Sequence, residues 1–244
     1  NSRRERILET VRNGGDVSVN SLSEQLQVSP LTIRRDLQYL EEHKLLERFY
    51  GGARTGNAEV PRKNSRELRK ERIAKYAAGL VEDGDSILLN TSSTALAMVK
   101  YITSRNVTII TNNGNIINEE NPSHATIVLL GGELRYQKGA MVGDFTKNSL
   151  AYVAAKKCFV GCTGISPDIG MVTEMMSEVN LNQMMFQRVT GTTYILADSS
   201  KFGIRTGGVS CPPEKIENII TDVNAPAQMV REFREMGTWV YQVD

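Results

Sequence analysis

Between residues 29 and 48 lie side chains whose types and spacing suit hydrogen bonding to a nucleic acid duplex. Arg34 and Arg35 can each pair bidentately with guanine or with phosphate, and Leu31 can touch a thymine methyl. Ser29, Thr32 and Gln38 bring hydroxyl and amide groups to the same stretch, and Arg48 follows as a contact for backbone phosphate. A second set is spread along the remainder of the chain. Asn90-Thr91-Ser92-Ser93-Thr94, Thr111-Asn112-Asn113, Gly131-Gly132 and the Gly161 to Gly164 loop are small or polar stretches able to surround a ligand. The hydroxyls and amides of residues 90–94 suit a phosphate. Arg135 and Lys201 supply positive charge for an anion, and Glu178 can accept from sugar hydroxyls.

The first set needs a compact N-terminal domain to present it. Ile7, Leu8 and Val11 form one helical stripe over residues 4–11, and Asn13-Gly14-Gly15-Asp16 ends it with turn formers. Ser21 and Glu24 read as an S-x-x-E capping box for a second, short helix carrying Leu22, Leu26 and Val28. Ser29-Pro30 starts a third helix as N-cap and first residue. In it Ile33, Leu37 and Leu40 fall on the core side, which turns Leu31, Arg34, Arg35 and Gln38 outward and leaves Thr32 near the start. Residues 45–50 read as a strand with Gly51-Gly52 as the turn at its end, a wing. Two short helices, a tight turn and a basic third helix make a winged helix-turn-helix. The plainer alternative is a three-helix bundle with an exposed basic face.

Residues 54 to 64 lack apolar periodicity and contain Gly56 and Pro61, so the expected division is 1–55 for the N-terminal domain, 56–65 for a linker and 66–244 for a second domain. In the second, strands are expected at 87–89, 107–110, 127–130, 158–160, 193–197, 218–220 and 239–243, with helices at 95–102, 178–188 and 227–236. Such alternation implies an α/β domain with a doubly wound, largely parallel sheet. In open sheets of this kind ligands sit beyond the carboxyl ends of the strands, where the second set of residues falls.

Composition sets outer limits. The chain has 244 residues with 40% hydrophobic content, enough for more than one core. Its net charge of +1 hides an asymmetry: residues 1–75 hold 16 basic against 11 acidic residues, the remainder 13 against 17. A basic N-terminal part suits a phosphate backbone, and a solvated charged face would look similar. No run approaches the roughly 18 apolar residues of a membrane helix, and no apolar signal stretch follows Asn1-Ser2-Arg3-Arg4, so no membrane partner and a cytoplasmic location are expected. Three irregularly spaced cysteines offer no disulfide framework, and His43 and His124 lack metal-ligand spacing, so neither metal nor cofactor is expected.

The N-terminal stretch resembles the DeoR family of bacterial repressors. The matching residues are Arg4-x-x-x-Ile7-Leu8, Val17-Ser18-Val19-x-x-Leu22, Val28-Ser29-Pro30-x-Thr32-Ile33-Arg34-Arg35-Asp36-Leu37 and Arg48-x-x-Gly51-Gly52-Ala53. The family's usual histidine before the glycines is Tyr50 here. Further on, Asp83-Gly84-Asp85, Thr111-Asn112, Leu130-Gly131-Gly132, Gly161-x-x-Gly164-Ile165 and Ala197-Asp198-Ser199-Ser200-Lys201-Phe202-Gly203 are similar to the family's sensor motifs, in order. The resemblance implies a C-terminal domain like the ribose-phosphate isomerase and CoA-transferase fold, responding to phosphorylated sugars or related metabolites. Two departures bear on the ligand: Asn90 stands where the family usually has aspartate, and Asn182-Gln183 stand where it often has a basic pair.

Two functions follow. One is a repressor of a carbohydrate operon, binding operator DNA and controlled by a phosphorylated sugar, expected as a homo-oligomer (dimer or tetramer) because palindromic half-sites demand at least two copies. The alternative is a sugar-phosphate isomerase with an appended helical domain, which needs a carboxylate at the substrate and a second acid or base. The 161–164 loop offers no carboxylate, which weighs against it.

Overall fold

The computed structural model describes residues 2–14, 16–42, 45–49, 51–55 and 65–244. The chain forms two units, Asn1–Arg62 and Lys63–Asp244.

In the first unit α1 (Ser2–Gly14) buries Ile7 and Val11, β1 (Val17–Ser18) leads into α2 (Val19–Leu26), and α3 (Pro30–Glu42) follows. Leu22, Ile33, Leu37, Leu40 and Leu46 close one core with them. The expected capping box is not what starts α2. The helix begins two residues before Ser21, and Ser18 is the cap: its hydroxyl accepts from Ser21 N at 3.0 Å, while Ser21 Oγ returns a bond to Ser18 O at 2.9 Å. Ser29 caps α3, accepting from Thr32 N at 3.2 Å. The wing is a hairpin of β2 (Leu46–Phe49) and β3 (Gly52–Thr55), with β1 added to β3. The paired glycines are therefore its middle. Gly51 has φ +96°, and a Cβ on Gly52 would lie 2.1 Å from Val17 O. Arg54 and Thr55 thus belong to a strand. The linker expected over 56–65 lies, apart from Ser65, outside the described residues, as do Tyr50 and His43.

The second unit opens with α4 (Ser65–Ala78), followed by β4 (Ser86–Leu89), the one-turn α5 (Ser93–Leu96), β5 (Thr108–Thr111) and β6 (Thr126–Leu129). A hairpin, β7 (Glu133–Arg135) and β8 (Ala140–Val142), precedes α6 (Asp144–Ala151) and β9 (Ala155–Gly161). Next come β10 (Gly164–Ser166), β11 (Gly170–Thr173), α7 (Met176–Gln187), β12 (Val189–Leu196), β13 (Gly208–Cys211), β14 (Asn218–Asp222), α8 (Ala227–Glu235) and β15 (Trp239–Val243).

All seven expected strands meet in one parallel sheet of order β15-β14-β12-β9-β4-β5-β6. Alternate residues feed opposite faces. Ile87, Leu89, Ile109, Phe159 and Leu196 face Ile73, Ala74 and Ala77 of α4, whereas Leu88, Ile110, Cys158, Val160 and Ile195 face Leu181 and Met185 of α7 and Phe233 of α8. Strand order reverses between β4 and β9, the place where a doubly wound sheet opens a crevice at its carboxyl edge. The opposite edge is tied by an ion cluster around the buried Asp85 and Lys157, with Glu82 and Lys156 on its exposed side. Lys157 Nζ reaches Asp85 Oδ2 and Glu82 Oε2, each at 2.8 Å, and Lys156 Nζ reaches Asp85 Oδ1 at 2.8 Å. Burial alone would push the Asp85 carboxyl up, but the two lysines outweigh it and hold it below the usual carboxylate range. The helix expected over 95–102 is instead α5 and a separate 3-10 turn, Val99–Tyr101, joined through a three-residue Met98 N to Ala95 O bond at 3.1 Å.

Candidate nucleic-acid interface and ligand pocket

Packing decides what α3 presents. With Ile33, Leu37 and Leu40 buried, Leu31 is 58% exposed, and Arg34, Arg35 and Gln38 are exposed beside it. The guanidinium groups of Arg34 and Arg35 bond no described residue, so both are free to meet phosphate or base edges. Thr32 is half-buried, its hydroxyl 2.9 Å from that of Ser29, so these two serve the helix start. Arg48 lies 3.6 Å from Glu41, a partner absent from the reading of the sequence.

Asp36, on the same helix, had no assigned role. It is 2% exposed and accepts from Arg3 Nε at 2.6 Å and Arg4 Nε at 2.9 Å, while the Arg4 guanidinium stacks 3.7 Å above the Tyr39 ring. This ties the start of α1 to the middle of α3. Burial pushes the Asp36 carboxyl up, yet Arg3 and Arg4 hold it below its ordinary value.

At the carboxyl edge of the large sheet lies a cavity of about 300 Å³. Asn90, Thr91, Ser92, Ser93 and Thr94 line it after β4, with Asn113 after β5, Gly161 at the end of β9, Glu178 from α7 and Lys201 after β12. The remaining expected residues lie outside the lining. Thr111 Oγ1 donates to Leu89 O at 2.7 Å, and Asn112 Nδ2 to Met141 O at 3.0 Å. Gly131 O accepts from Thr146 Oγ1 at 2.6 Å, and a Cβ on Gly132 would strike that same hydroxyl. Gly164 packs against Ile204, and Arg135 is an exposed neighbour of Glu133 at 3.5 Å. These residues shape the loops around the cavity.

Asn90 binds the two central strands together. Its Nδ2 donates to Gly161 O at 2.9 Å and to Asn182 Oδ1 at 3.2 Å, and its Oδ1 accepts from Gly161 N at 3.0 Å and Ser92 N at 3.2 Å. Glu178, 5% exposed, accepts from Thr91 Oγ1 at 2.5 Å. Asn113 is 1% exposed, and its Nδ2 is buried without a hydrogen-bond partner at the cavity wall. A buried donor of this kind is costly unless an acceptor meets it.

Reading the sequence missed two lysines. Lys138, from the turn between β7 and β8, lines the cavity, as does Lys70 of α4, whose Nζ donates to Ser93 Oγ at 3.0 Å. Burial, with Arg66 and Lys201 nearby, lowers the Lys70 ammonium below the usual lysine value, against the opposing pull of Asp198. Charged face residues of an amphipathic helix gave no signal that one would bend over a pocket. Cys162 also lines the cavity, but burial pushes its thiol up to about 12, which removes it as a nucleophile at neutral pH.

An exposed basic helix on a winged helix-turn-helix, in one chain with a parallel α/β unit holding a polar, cationic cavity, defines a ligand-sensing DNA-binding regulator. Residues 3–58 match the DeoR-like helix-turn-helix domain, and residues 65–223 match the DeoR C-terminal sensor domain. The chain belongs to the DeoR family of transcriptional regulators. It is 33% identical over 232 residues to the lactose phosphotransferase system repressor of Staphylococcus epidermidis, covering 91% of this chain and 92% of that one. To the glycerol-3-phosphate regulon repressor of Escherichia coli it is 30% identical over 236 residues, 88% of this chain and 93% of the relative. Among solved structures, ribose 5-phosphate isomerase A of Methanocaldococcus jannaschii aligns with a TM-score of 0.40 and 18% identity, over 57% of this chain and 55% of the other. Among the described residues no helix is long and apolar enough to cross a membrane.

Proposed function

We propose that the protein represses a carbohydrate operon and that a phosphorylated sugar, or a related metabolite, in the C-terminal cavity sets its grip on operator DNA. The observation that carries this reading is the make-up of the cavity. It combines cations from Lys70, Lys138 and Lys201, the hydroxyls of residues 91–94, the unpaired Asn113 amide nitrogen and two buried carboxylates, Glu178 and Asp198. A phosphate dianion matches the cations, and Glu178 matches a hydroxyl donor on the sugar. Relatives named as repressors of sugar and sugar-phosphate systems agree with it. In this reading Arg34 and Arg35 meet base edges or phosphates, and Arg48 positions the wing. The protein acts in the cytoplasm as a homo-oligomer on a two-fold operator, without metal, cofactor or membrane.

The cavity is read as non-catalytic. Of its two carboxylates, Glu178 is held by Thr91, and Asp198 accepts from the Ser200 amide at 3.0 Å and its hydroxyl, so a free acid and base pair is lacking among the described residues.

The test is operator binding by fluorescence anisotropy, using a duplex that the full chain selects from a random pool, with and without ribose 5-phosphate, glucosamine 6-phosphate and glycerol 3-phosphate. Arg34→Ala and Arg35→Ala should each weaken binding by roughly 10- to 100-fold, as loss of one bidentate contact does. Equal affinity for selected and random DNA, or measurable isomerisation of ribose 5-phosphate, would overturn the reading.

A further inference from the structure

The large sheet ends on β15 at one side and β6 at the other, and the chain treats these two edges differently. At β15, Arg234 of α8 turns its guanidinium onto the outer strand, Nη2 donating to Val240 O at 2.9 Å. A charged guard of this kind keeps a sheet edge from pairing. At β6 the amides of Thr126 and Leu130 donate inward, to Val107 O at 2.9 Å and Thr111 O at 2.8 Å. Alternation along the strand then turns the N–H and C=O groups of Ile127 and Leu129 outward, where no described strand pairs with them.

Large apolar side chains flank that open edge. Val128 projects from β6 itself, Leu134 and Tyr136 belong to the β7–β8 hairpin, and Ile117 sits in the 3-10 turn Gly114–Asn118 after β5. Phe145 and Tyr152, seven residues apart, share the outer side of α6 and its end, while Thr146 and Leu150 fill the inner side. Close approaches gather these pieces. A Cβ on Gly132 would strike Thr146 Oγ1, one on Gly143 would lie 3.2 Å from Glu133 Oε1, and one on Gly114 would lie 3.8 Å from Leu134 Cδ1. The first turn of α6, β7 and the 3-10 turn therefore crowd around the end of β6.

Ile117, Tyr136, Phe145 and Tyr152 are each at least 77% exposed. Three aromatic rings of about 150–250 Å² each, with three aliphatic side chains beside them, put the patch on the order of 800 Å². That is beyond the few hundred Å² a monomer usually exposes, and it is about the share one partner gives to a standard interface. The charged neighbours are closed in pairs, Glu133 with Arg135 at 3.5 Å and Asp144 with Lys147 at 3.0 Å. They put no net charge beside the patch, so two copies of it can meet without like-charge repulsion from them.

We propose that this patch is the interface between two copies of the chain, joined by antiparallel pairing of their β6 strands about a two-fold axis. The proposal rests on the reading of the protein as a repressor of a two-fold operator, which needs one DNA-binding unit for each half-site. A two-fold contact must be self-complementary, and an edge strand meets that condition, because its antiparallel image satisfies its own donors and acceptors. The register that uses both outward residues sets Ile127 opposite the partner's Leu129 and Val128 against its own copy. Such a pair has Cα atoms about 4.5 Å apart, within reach of a disulfide.

The test uses the full chain in sedimentation velocity at micromolar concentration, with circular dichroism to report folding. Phe145→Glu combined with Tyr152→Glu should halve the mass of the unaltered protein. Operator affinity by anisotropy should then fall on the order of 100-fold for a duplex with two half-sites and hold for a duplex with one. A folded double variant of full mass overturns the proposal, leaves the repressor reading standing and frees the patch for a different partner. Where the double variant does not fold, cysteine linkage under oxidised glutathione decides. An intermolecular disulfide in Val128→Cys and none in Trp239→Cys, on the guarded edge, supports the interface, and any other pattern overturns it. Undiminished operator affinity in the halved species would keep the interface and overturn the two-fold reading. A monomeric unaltered protein that still saturates its operator overturns both.

Discussion

Asn90 and Asn182 show how much one contact can hide. In the sequence they are two separate departures from the family pattern, an aspartate lost in one place and a basic residue lost in another. In the structure they touch, Nδ2 of Asn90 donating to Oδ1 of Asn182 at 3.2 Å. They form one neutral, hydrogen-bonded pair. The substitutions were legible but their proximity was not, because nothing local links residues so far apart. Asn90→Asp should therefore place an unpaired charge among groups that need a donor and cost about 2–4 kcal/mol in thermal denaturation. Adding Asn182→Lys should recover part of that loss; no recovery would show that the pair is not a unit. Asp36 is the corresponding residue in the first unit. Arg3 and Arg4 remain partly open to solvent, so Asp36→Asn should cost about 1–2 kcal/mol. Its carboxyl is lower in the folded state, so its contribution is present above the unfolded value and fades as pH falls through the folded one. Acid titration followed by circular dichroism checks the sign: the variant should lose less stability on acidification than the parent.

At the scale of elements, what was legible is what repeats. Short apolar runs reveal the seven parallel strands, those inside the sheet being buried on both faces and the edge strands β6 and β15 only in part, and the i, i+4, i+7 pattern reveals α3. What was hidden is short. Strands β7, β8 and β10 have three residues each, too few to show alternation, and β1 has two. Glycines carried a signal that was only half readable: their presence after strands marked the cavity region, but which ones border the cavity depends on what each approaches. Gly161 is the informative case. A Cβ there would lie 1.9 Å from Ser92 Oγ, so Gly161→Ala must displace the loop of residues 91–94. A stability loss on the order of 1–3 kcal/mol is expected, as for other overpacked sites, together with loss of stabilisation by ribose 5-phosphate in a thermal-shift assay. An unchanged ligand response would place the phosphate elsewhere.

For the whole molecule, the two units have separate cores, one closed by Leu22, Ile33 and Leu37 and the other built on both faces of the seven-stranded sheet. Calorimetry should resolve two transitions, and a phosphorylated ligand should raise only the one belonging to the larger unit, because it binds that unit when folded. Both units also rest on a buried aspartate held below its ordinary value, Asp36 and Asp85, so both transitions should fall on acidification.

The seam between β4 and β9 has a bearing on how quickly the cavity comes into being. Ile87 pairs with Lys157 and Leu89 with Phe159, so joining these strands closes a loop containing β5, β6, the β7–β8 hairpin and α6. Pairings that close long loops tend to form late. Where that closure follows the rate-limiting step, the wall made by Asn90 and Gly161 is absent from the transition state. A bound ligand should accordingly slow unfolding and leave the refolding rate unchanged in stopped-flow experiments. Faster refolding in its presence would place the seam in the folding nucleus.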